Sequence, residues 1–486
     1  MPTTPDLEAA RAELVAALGA DAVLNDPLAL RLYARDASMV EGSAGLVAFV
    51  RSTEDVVACM RVAARYDVPV VPRGSGTGLA GAATPLGDPL LVVTSKMDRI
   101  IEIRTEGRLA WVEPGVFNLD LATALRPLGF TYAPDPSSQQ VSSIGGNVNT
   151  NAGGPHCLAY GVTSAHVLAV DVVLSDGTVE RFGSEAPAAA GYDLRGFVVG
   201  SEGTLGIVTA ACVRLTPLPP AVRTILLDFA DVEDCARTVS AIVARGVVPA
   251  AIEMMDQGIV RAVEAFVHAG YPTEAAAVLL VEVDGIDAAV DAQTREVEAA
   301  AREHRVGTIR VAADETERAL LWKGRKSAFG AIARIAPHYH LHDCVVPRTK
   351  LAEVLAGVYT IAARHDLIVT NVFHAGDGNL HPLFSFDRTV PGTLERVLAA
   401  SDELVRLCVD AGGALSGEHG IGLEKRDFMP LVFTATDLDA QACLRSAFDP
   451  EGRMNPKKIL PDGARCGDYA AAALAREGAL PEGTWI

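Results

Sequence analysis

The chain has 486 residues and a mass of 50.9 kDa, enough for more than one domain around a sizeable core. Hydrophobic residues make up 49% and charged residues 21%, so no half of it is compositionally disordered. A formal net charge of -19 and a sequence pI of about 5.0 argue against nucleic acid or an anionic membrane surface as a partner, because the overall field repels either, while a local basic site stays compatible.

No stretch approaches the ~20 apolar residues of a membrane span; the run Ala275–Val281 stops at Glu282. Asp6, Glu8 and Glu13 lie in an Ala-rich N-terminal helical pattern that has neither a signal-peptide nor a transit-peptide signature. The expected location is cytoplasmic, with attachment to the inner membrane face through partners left open. The eight cysteines (59, 157, 212, 235, 344, 408, 443 and 466) never show Cys-x-x-Cys spacing. That disfavours an iron–sulfur cluster or a Cys-ligated zinc in this chain and favours buried free thiols.

In chain order, residues 5–40 read as helices with a break at Pro27, the last part of an N-terminal segment 1–41. From 42 to 220 short Val-rich strands alternate with Gly-rich loops, at Pro69–Pro72, Leu90–Thr94, Ala110–Glu113, Val167–Leu174 and Ile207–Leu215. Thr216–Pro220, with three prolines in five residues, marks a domain boundary. Beyond it, strand Arg223–Phe229 precedes helix Val232–Arg245, and strand Val278–Val283 precedes helix Ala288–Glu303. That order predicts an α+β domain over 221–460, with helices on one face of a sheet. Residues 461–486, Ala/Gly-rich and aperiodic, read as a tail.

The first glycine loop, Val71 to Gly81, contains Gly76, Gly78 and Gly81 in Gly-x-Gly-x-x-Gly spacing. A Rossmann loop must open into a helix, and Pro85 and Pro89 forbid one here. Bare amides of consecutive glycines can instead form a phosphate nest, or simply a tight turn. Pro134-Asp-Pro-Ser-Ser with Ser143 to Gly154, and Gly200 to Val208, make two further loops that mix glycine with small hydroxyl and amide side chains. Three such loops suit a long ligand carrying a pyrophosphate and two ring systems.

These loops, in this order and spacing, resemble the FAD-binding domain of vanillyl-alcohol-oxidase-type flavoproteins over roughly residues 40–220. The resemblance implies that Arg73, Gly74, Ser75, Gly76, Thr77 and Gly78 wrap the pyrophosphate and that Pro134, Ser137 and Ser138 lie by the flavin. It further sets Gly145, Gly146 and Asn149 along the cofactor, and Glu202 and Ile207 near its adenosine half. Covalent relatives carry a His in the first loop where this chain has Thr77, so FAD is expected to be non-covalent.

In the second half, His374 and His381 flank Gly376-Asp-Gly-Asn379, a hairpin signal that lets both imidazoles converge. Glu418 and His419 occupy a glycine-flanked loop after an amphipathic helix at Leu394–Asp410. Two imidazoles and a carboxylate make a common catalytic metal shell with positions left open for substrate, although two His beside a turn are often structural. His338, His340 and His342 alternate and would share one face of an extended segment, lining a pocket or merely a polar strand face.

Leu321–Lys326, Asn371–Pro382, Ser416–Lys425 and Phe448–Pro456 together resemble the flavin-linked D-2-hydroxy-acid dehydrogenases, most of all the FAD-carrying subunits of bacterial glycolate oxidase, over nearly the whole chain. The implied fold is α+β: a two-lobed FAD-binding domain of the vanillyl-alcohol-oxidase type, then an α+β cap with a largely antiparallel sheet. The implied metal ligands are His374, His381 and Glu418, for a divalent ion such as zinc, manganese or iron. His419 is the implied base, Arg325 the partner of the substrate carboxylate, and Asn455 a residue near the flavin. Relatives acting on 2-hydroxyglutarate have a Lys shortly before the Asp equivalent to Asp343; Leu341 stands there, which favours a short monocarboxylate such as glycolate or D-lactate. The resemblance also implies a related flavin subunit and an iron–sulfur subunit, or another electron acceptor, as partners. Alternatives are a stand-alone D-lactate dehydrogenase, a metal-dependent hydrolase using Glu418 and His419 on water, and a redox-inactive FAD subunit.

Overall fold

A computed structural model describes residues 6–186 and 191–461. Most of the expected tail, 462–486 with Cys466, lies outside the described residues. The described residues fall into two compact units, one within 1–152, 162–217 and 418–486, the other within 153–161 and 218–417. After the short excursion 153–161 the chain leaves the first unit again at Pro217, inside the proline-rich Thr216–Pro220 segment, and returns to it at Glu418. A linear division into 42–220 and 221–460 does not anticipate that return.

The first unit holds two larger sheets and a two-stranded ladder of Phe130–Thr131 with Thr216–Pro217. Strands Leu46–Phe49, Leu90–Val93 and Val70–Arg73 run parallel, with Val23–Leu24 antiparallel at the edge. Helix Thr53–Arg65, capped by Ser52, covers this sheet with Val56, Cys59, Met60 and Ala63. The second sheet is antiparallel, in the order Ile100–Arg104, Leu109–Val112, Ile207–Arg214, Val167–Val173 and Val179–Gly183. Its inner face buries Val112, Val170, Val172, Val208 and Val213 against helices Asn118–Leu125 and Ile144–Thr150. Pro27 does not break a helix; it opens one, Pro27–Arg31, at the first position, where its missing N–H costs nothing. No helix follows the first glycine loop before strand Leu90–Val93, as Pro85 and Pro89 require.

The second unit is built on one antiparallel sheet, in the order Val306–Val311, Ala221–Phe229, Ala277–Gly285, Ala251–Asp256, Ile368–His374, Asn379–Leu380 and Cys344–Val345. Pro382–Phe386 pairs with Ile368–His374 and with His338–Leu341. Its helices cover both faces, not one as expected. Leu226, Met255, Val278 and Leu280 pack with residues of helices Gln257–Val267 and Glu315–Lys326. The alternate residues Ile225, Leu227, Leu279 and Val281 are equally buried, and point to the opposite face, where helices Val232–Ala244 and Asp287–Glu303 contact these strands. A strand apolar at consecutive positions must be covered on both sides.

The excursion Gly153–Gly161 belongs to this second unit: His156 stacks on Trp322, and the Tyr160 hydroxyl donates to Asp284. Cys59, Cys212, Cys235, Cys344 and Cys408 are buried free thiols and Cys157 a half-buried one, while Cys443 departs from the free-thiol expectation and is disulfide-bonded. Among the described residues no helix is long and apolar enough to cross a membrane.

Candidate active site

The expected site residues divide between the units. His374, His381 and Arg325 belong to the second; Glu418, His419, Asn455 and the residues of the three glycine loops belong to the first. The Gly417–Glu418 peptide bond joins the two sets.

In the second unit, His374 ends strand Ile368–His374 and lies opposite Glu253 in the sheet register. Its Nδ1 is 2.8 Å from Glu253 Oε1. A carboxylate only accepts, so Nδ1 carries a proton, and in the neutral ring the lone pair is then on Nε2. His381, just beyond the turn, has Nδ1 3.0 Å from the His342 carbonyl oxygen, which fixes the same tautomer. The two rings are 5.1 Å apart and nearly perpendicular, and both residues are buried. Histidine ligands of metals are usually held in this way, with one nitrogen donating to an oxygen and the other presented.

Arg325 lies in the last turn of helix Glu315–Lys326 and is 1% exposed. Its Nη2 makes an ion pair with Glu253 Oε2 at 2.5 Å that lacks hydrogen-bond geometry, and none of its three guanidinium nitrogens has a hydrogen-bond partner among the described residues. Burial pushes the Glu253 carboxyl up, but the Arg325 guanidinium and the His374 ring outweigh it and hold the group below its ordinary value. Sequence reading passed over Glu253. The signal was there, a lone carboxylate in the apolar run Ala-Ile-Glu-Met-Met, since acids are almost never buried unpaired.

The loop leading to Glu418 is fixed by Asp343, whose carboxylate accepts from Ser416 Oγ at 2.6 Å and from the Gly417 amide at 3.0 Å. A side chain at Gly417 would meet the Asn379 amide, which would have to shift, so glycine lets the backbone pass close to Asn379. The alternating histidines are partly accounted for by structure: His342 Nε2 is 3.1 Å from Ser401 Oγ, and His338 Nδ1 accepts from the Arg388 amide. Leu341 is half-buried against the apolar core of this unit.

In the first unit, Arg73 ends strand Val70–Arg73 and folds back beneath Gly76, which holds a left-handed φ of 74°. Thr77 and Gly78 are half-buried in the same loop, and Gly74 abuts Ser143. Ser143 caps helix Ile144–Thr150, which carries Gly145, Gly146 and Asn149; Pro134 accepts from Asn118 Nδ2 at 2.9 Å. Ser138 is half-buried and Ser137 exposed. Ile207 is a core residue. Asn455 Nδ2 donates to the carbonyls of Ala82 and Glu202. Among the described residues, the buried oxygens Ser75 Oγ, Ser142 Oγ, Asn149 Oδ1, Ser201 Oγ and Asn455 Oδ1 have no hydrogen-bond partner. So many unmet polar atoms along these loops fit a long polar ligand, because buried polar groups are otherwise satisfied.

Glu202 does more than the resemblance implied. Its carboxylate accepts from the backbone amides of Ile421 at 2.6 Å and Gly422 at 2.8 Å, pinning the segment just after His419. His419 Nε2 lies 3.9 Å from Glu418 Oε1. Burial pushes the Glu202 carboxyl up to about 7, despite those two amides. The folded chain then keeps a proton that the unfolded chain, with a value near 4.5, has released. Stability should therefore fall as pH rises from about 4.5 to about 7 and level off above. Thermal melts of the FAD-loaded protein across that window measure the slope, and Glu202→Gln should flatten it.

Residues 44–183 match the FAD binding domain family and residues 218–459 the family of FAD linked oxidases, C-terminal domain. Over 436 residues the chain is 43% identical to glycolate oxidase subunit GlcD of Escherichia coli strain K12, covering 90% of this chain and 87% of that one. The chain belongs to the FAD-linked 2-hydroxy-acid oxidoreductases. Other relatives are glycolate oxidase subunit GlcD of Bacillus subtilis, 39% identical over 85% of this chain and 88% of that one, and D-lactate dehydrogenase of Anaerostipes hadrus, 32% identical over 90% and 92%. The fold matches p-cresol methylhydroxylase with a TM-score of 0.79 at 18% identity, covering 93% of this chain and 96% of that one. It also matches 4-ethylphenol oxidase from Gulosibacter chungangensis, with a TM-score of 0.78 at 19% identity, over 95% and 99%. The α+β, vanillyl-alcohol-oxidase-type expectation therefore holds, and this enzyme is an FAD-dependent oxidoreductase. With Thr77 in the first loop and no His or Cys there, acid precipitation should release all flavin as intact FAD; colour retained in the pellet would contradict this.

Proposed function

We propose that the enzyme oxidises a short 2-hydroxy monocarboxylate, glycolate or D-lactate, to the 2-oxo acid, with a divalent cation held by His374, His381 and Glu418. The observation that carries the metal is the matched pair of hydrogen bonds: both imidazoles have Nδ1 tied to an oxygen acceptor, so in the neutral ring Nε2 is the nitrogen able to bind a cation. When bound, FAD supplies the two-electron acceptor and the cation a Lewis acid beside the substrate hydroxyl. Arg73, Gly74, Ser75, Gly76, Thr77 and Gly78 would hold the pyrophosphate; Pro134, Ser137, Ser138, Gly145, Gly146, Asn149, Glu202, Ile207 and Asn455 would line the rest of the cofactor.

Arg325, with no guanidinium nitrogen hydrogen-bonded among the described residues, would receive the substrate carboxylate. His419 would take the hydroxyl proton at Nε2, the ring nitrogen facing Glu418. Leu341, set in an apolar environment, offers no cation to a second carboxylate, which supports a monocarboxylate over 2-hydroxyglutarate. Electrons would pass to a partner. A related flavin subunit and an iron–sulfur subunit are the proposed partners, a reading supported by the relative that is named a subunit of glycolate oxidase.

The test is anaerobic bleaching of the purified protein's flavin by glycolate, D-lactate, L-lactate and D-2-hydroxyglutarate, followed by turnover with a dye and with oxygen. Fast bleaching by glycolate or D-lactate, with good dye reduction and slow peroxide formation, is expected. Bleaching by D-2-hydroxyglutarate alone would overturn the substrate assignment, and rapid peroxide formation would remove the need for a partner.

A further inference from the structure

Glu253 is the one acid inside the otherwise apolar strand segment Ala251–Met255, and its side chain has no exposure. Its two oxygens are divided between two partners: Oε1 meets His374 Nδ1 at 2.8 Å, and Oε2 meets Arg325 Nη2 at 2.5 Å. We propose that Glu253 is a positioning residue that ties the metal-ligating imidazole and the carboxylate-clamping guanidinium to a single anchor, fixing the distance at which one substrate can meet both. This inference rests on the function proposed above.

Three observations support it. The sheet register sets Glu253 directly across from His374, so the bond is built by backbone pairing and not by a flexible reach. An acceptor at Oε1 forces the proton onto Nδ1, which leaves Nε2 as the ligand atom. The ion pair at Oε2 holds one corner of the Arg325 guanidinium without closing a hydrogen bond, and leaves Nε and Nη1 as the donors available to a carboxylate. Neutralising a buried arginine would need only one oxygen near one nitrogen; the division of the two oxygens between two functional groups is what a spacer requires.

Glutamine keeps the shape but offers one acceptor and one donor, so Glu253→Gln can satisfy only one end. If its amide nitrogen faces His374, the ring must flip to the other tautomer, and metal affinity should fall about ten- to a hundredfold. If the amide faces Arg325, two donors oppose each other, and KM for the 2-hydroxy acid should rise about tenfold or more at saturating metal. The experiment uses the full FAD-loaded chain. Equilibrium dialysis with Mn2+ or Zn2+ gives metal affinity, dye reduction gives KM, and flavin content and melting temperature report folding. Wild-type metal affinity together with wild-type KM in Glu253→Gln, whatever its melting temperature, would reduce Glu253 to charge compensation and overturn the proposal. If Glu253→Gln does not retain FAD, Glu253→Asp, too short to reach both partners, is read in the same way. His374→Ala serves as the control: if it binds metal as tightly as wild type, the metal assignment itself fails, and the positioning role falls with it.

Discussion

Alanine at His374, His381 or Glu418 is expected to remove the metal, whereas alanine at His419 leaves metal and FAD in place and slows turnover by a factor of about 10²–10⁴. Glu418 and His419 are adjacent in sequence, yet the proposed tasks of ligand and base occur at different stages. A ligand grips the cation before substrate arrives, so its loss should weaken substrate affinity and turnover together. A base acts only as the proton leaves, and its loss should appear mainly in kcat when binding is intact. Glu418 and His419 are the sharpest comparison, being neighbours in sequence with similarly small exposure. Elemental analysis paired with anaerobic flavin reduction in each variant decides the matter. A His419→Ala protein that has lost its metal, or that reduces its flavin at the wild-type rate, would show that the two tasks are not divided as proposed.

What the sequence made legible was local. The glycine loops could be read because an amide nest needs consecutive residues, and the strand at Ile368–His374 because Asp377-Gly378 marks a turn. That Glu253 is a buried, paired acid was legible, but its pairing with His374, and that of the His342 carbonyl with His381, was not, since these partners come from distant parts of the chain. The return of the chain to the first unit at Glu418 was hidden for the same reason: it depends on Glu202 and Ala80 accepting amides of the 421–424 segment. The one-face sheet was a misreading of available information. Ala277–Val281 has no polar alternation, which already called for cover on both sides. Pro27 misled because a proline that interrupts one helix is also the best residue to start the next.

Arg325→Met should be damaging in two separable ways. The side chains of Arg325 and Glu253 are 1% and 0% exposed, so removing the guanidinium leaves a carboxylate buried with only the His374 ring to answer it. Breaking a buried pair from one side typically costs about 3–5 kcal/mol, because the surviving charge keeps its desolvation penalty and loses its partner. Replacing both residues, as Arg325→Met with Glu253→Leu, removes that stranded charge and should restore much of the loss in chemical denaturation of the FAD-loaded protein. Turnover should not follow stability. If Arg325 clamps the substrate carboxylate, its absence costs about 2–5 kcal/mol of binding, on the order of 30- to 5000-fold in kcat/KM, and the second substitution supplies no replacement cation. The double variant is therefore expected to be stable, yellow and nearly inactive. A double variant that recovers turnover along with stability would mean that Arg325 serves only to balance Glu253, and that the substrate carboxylate is held elsewhere.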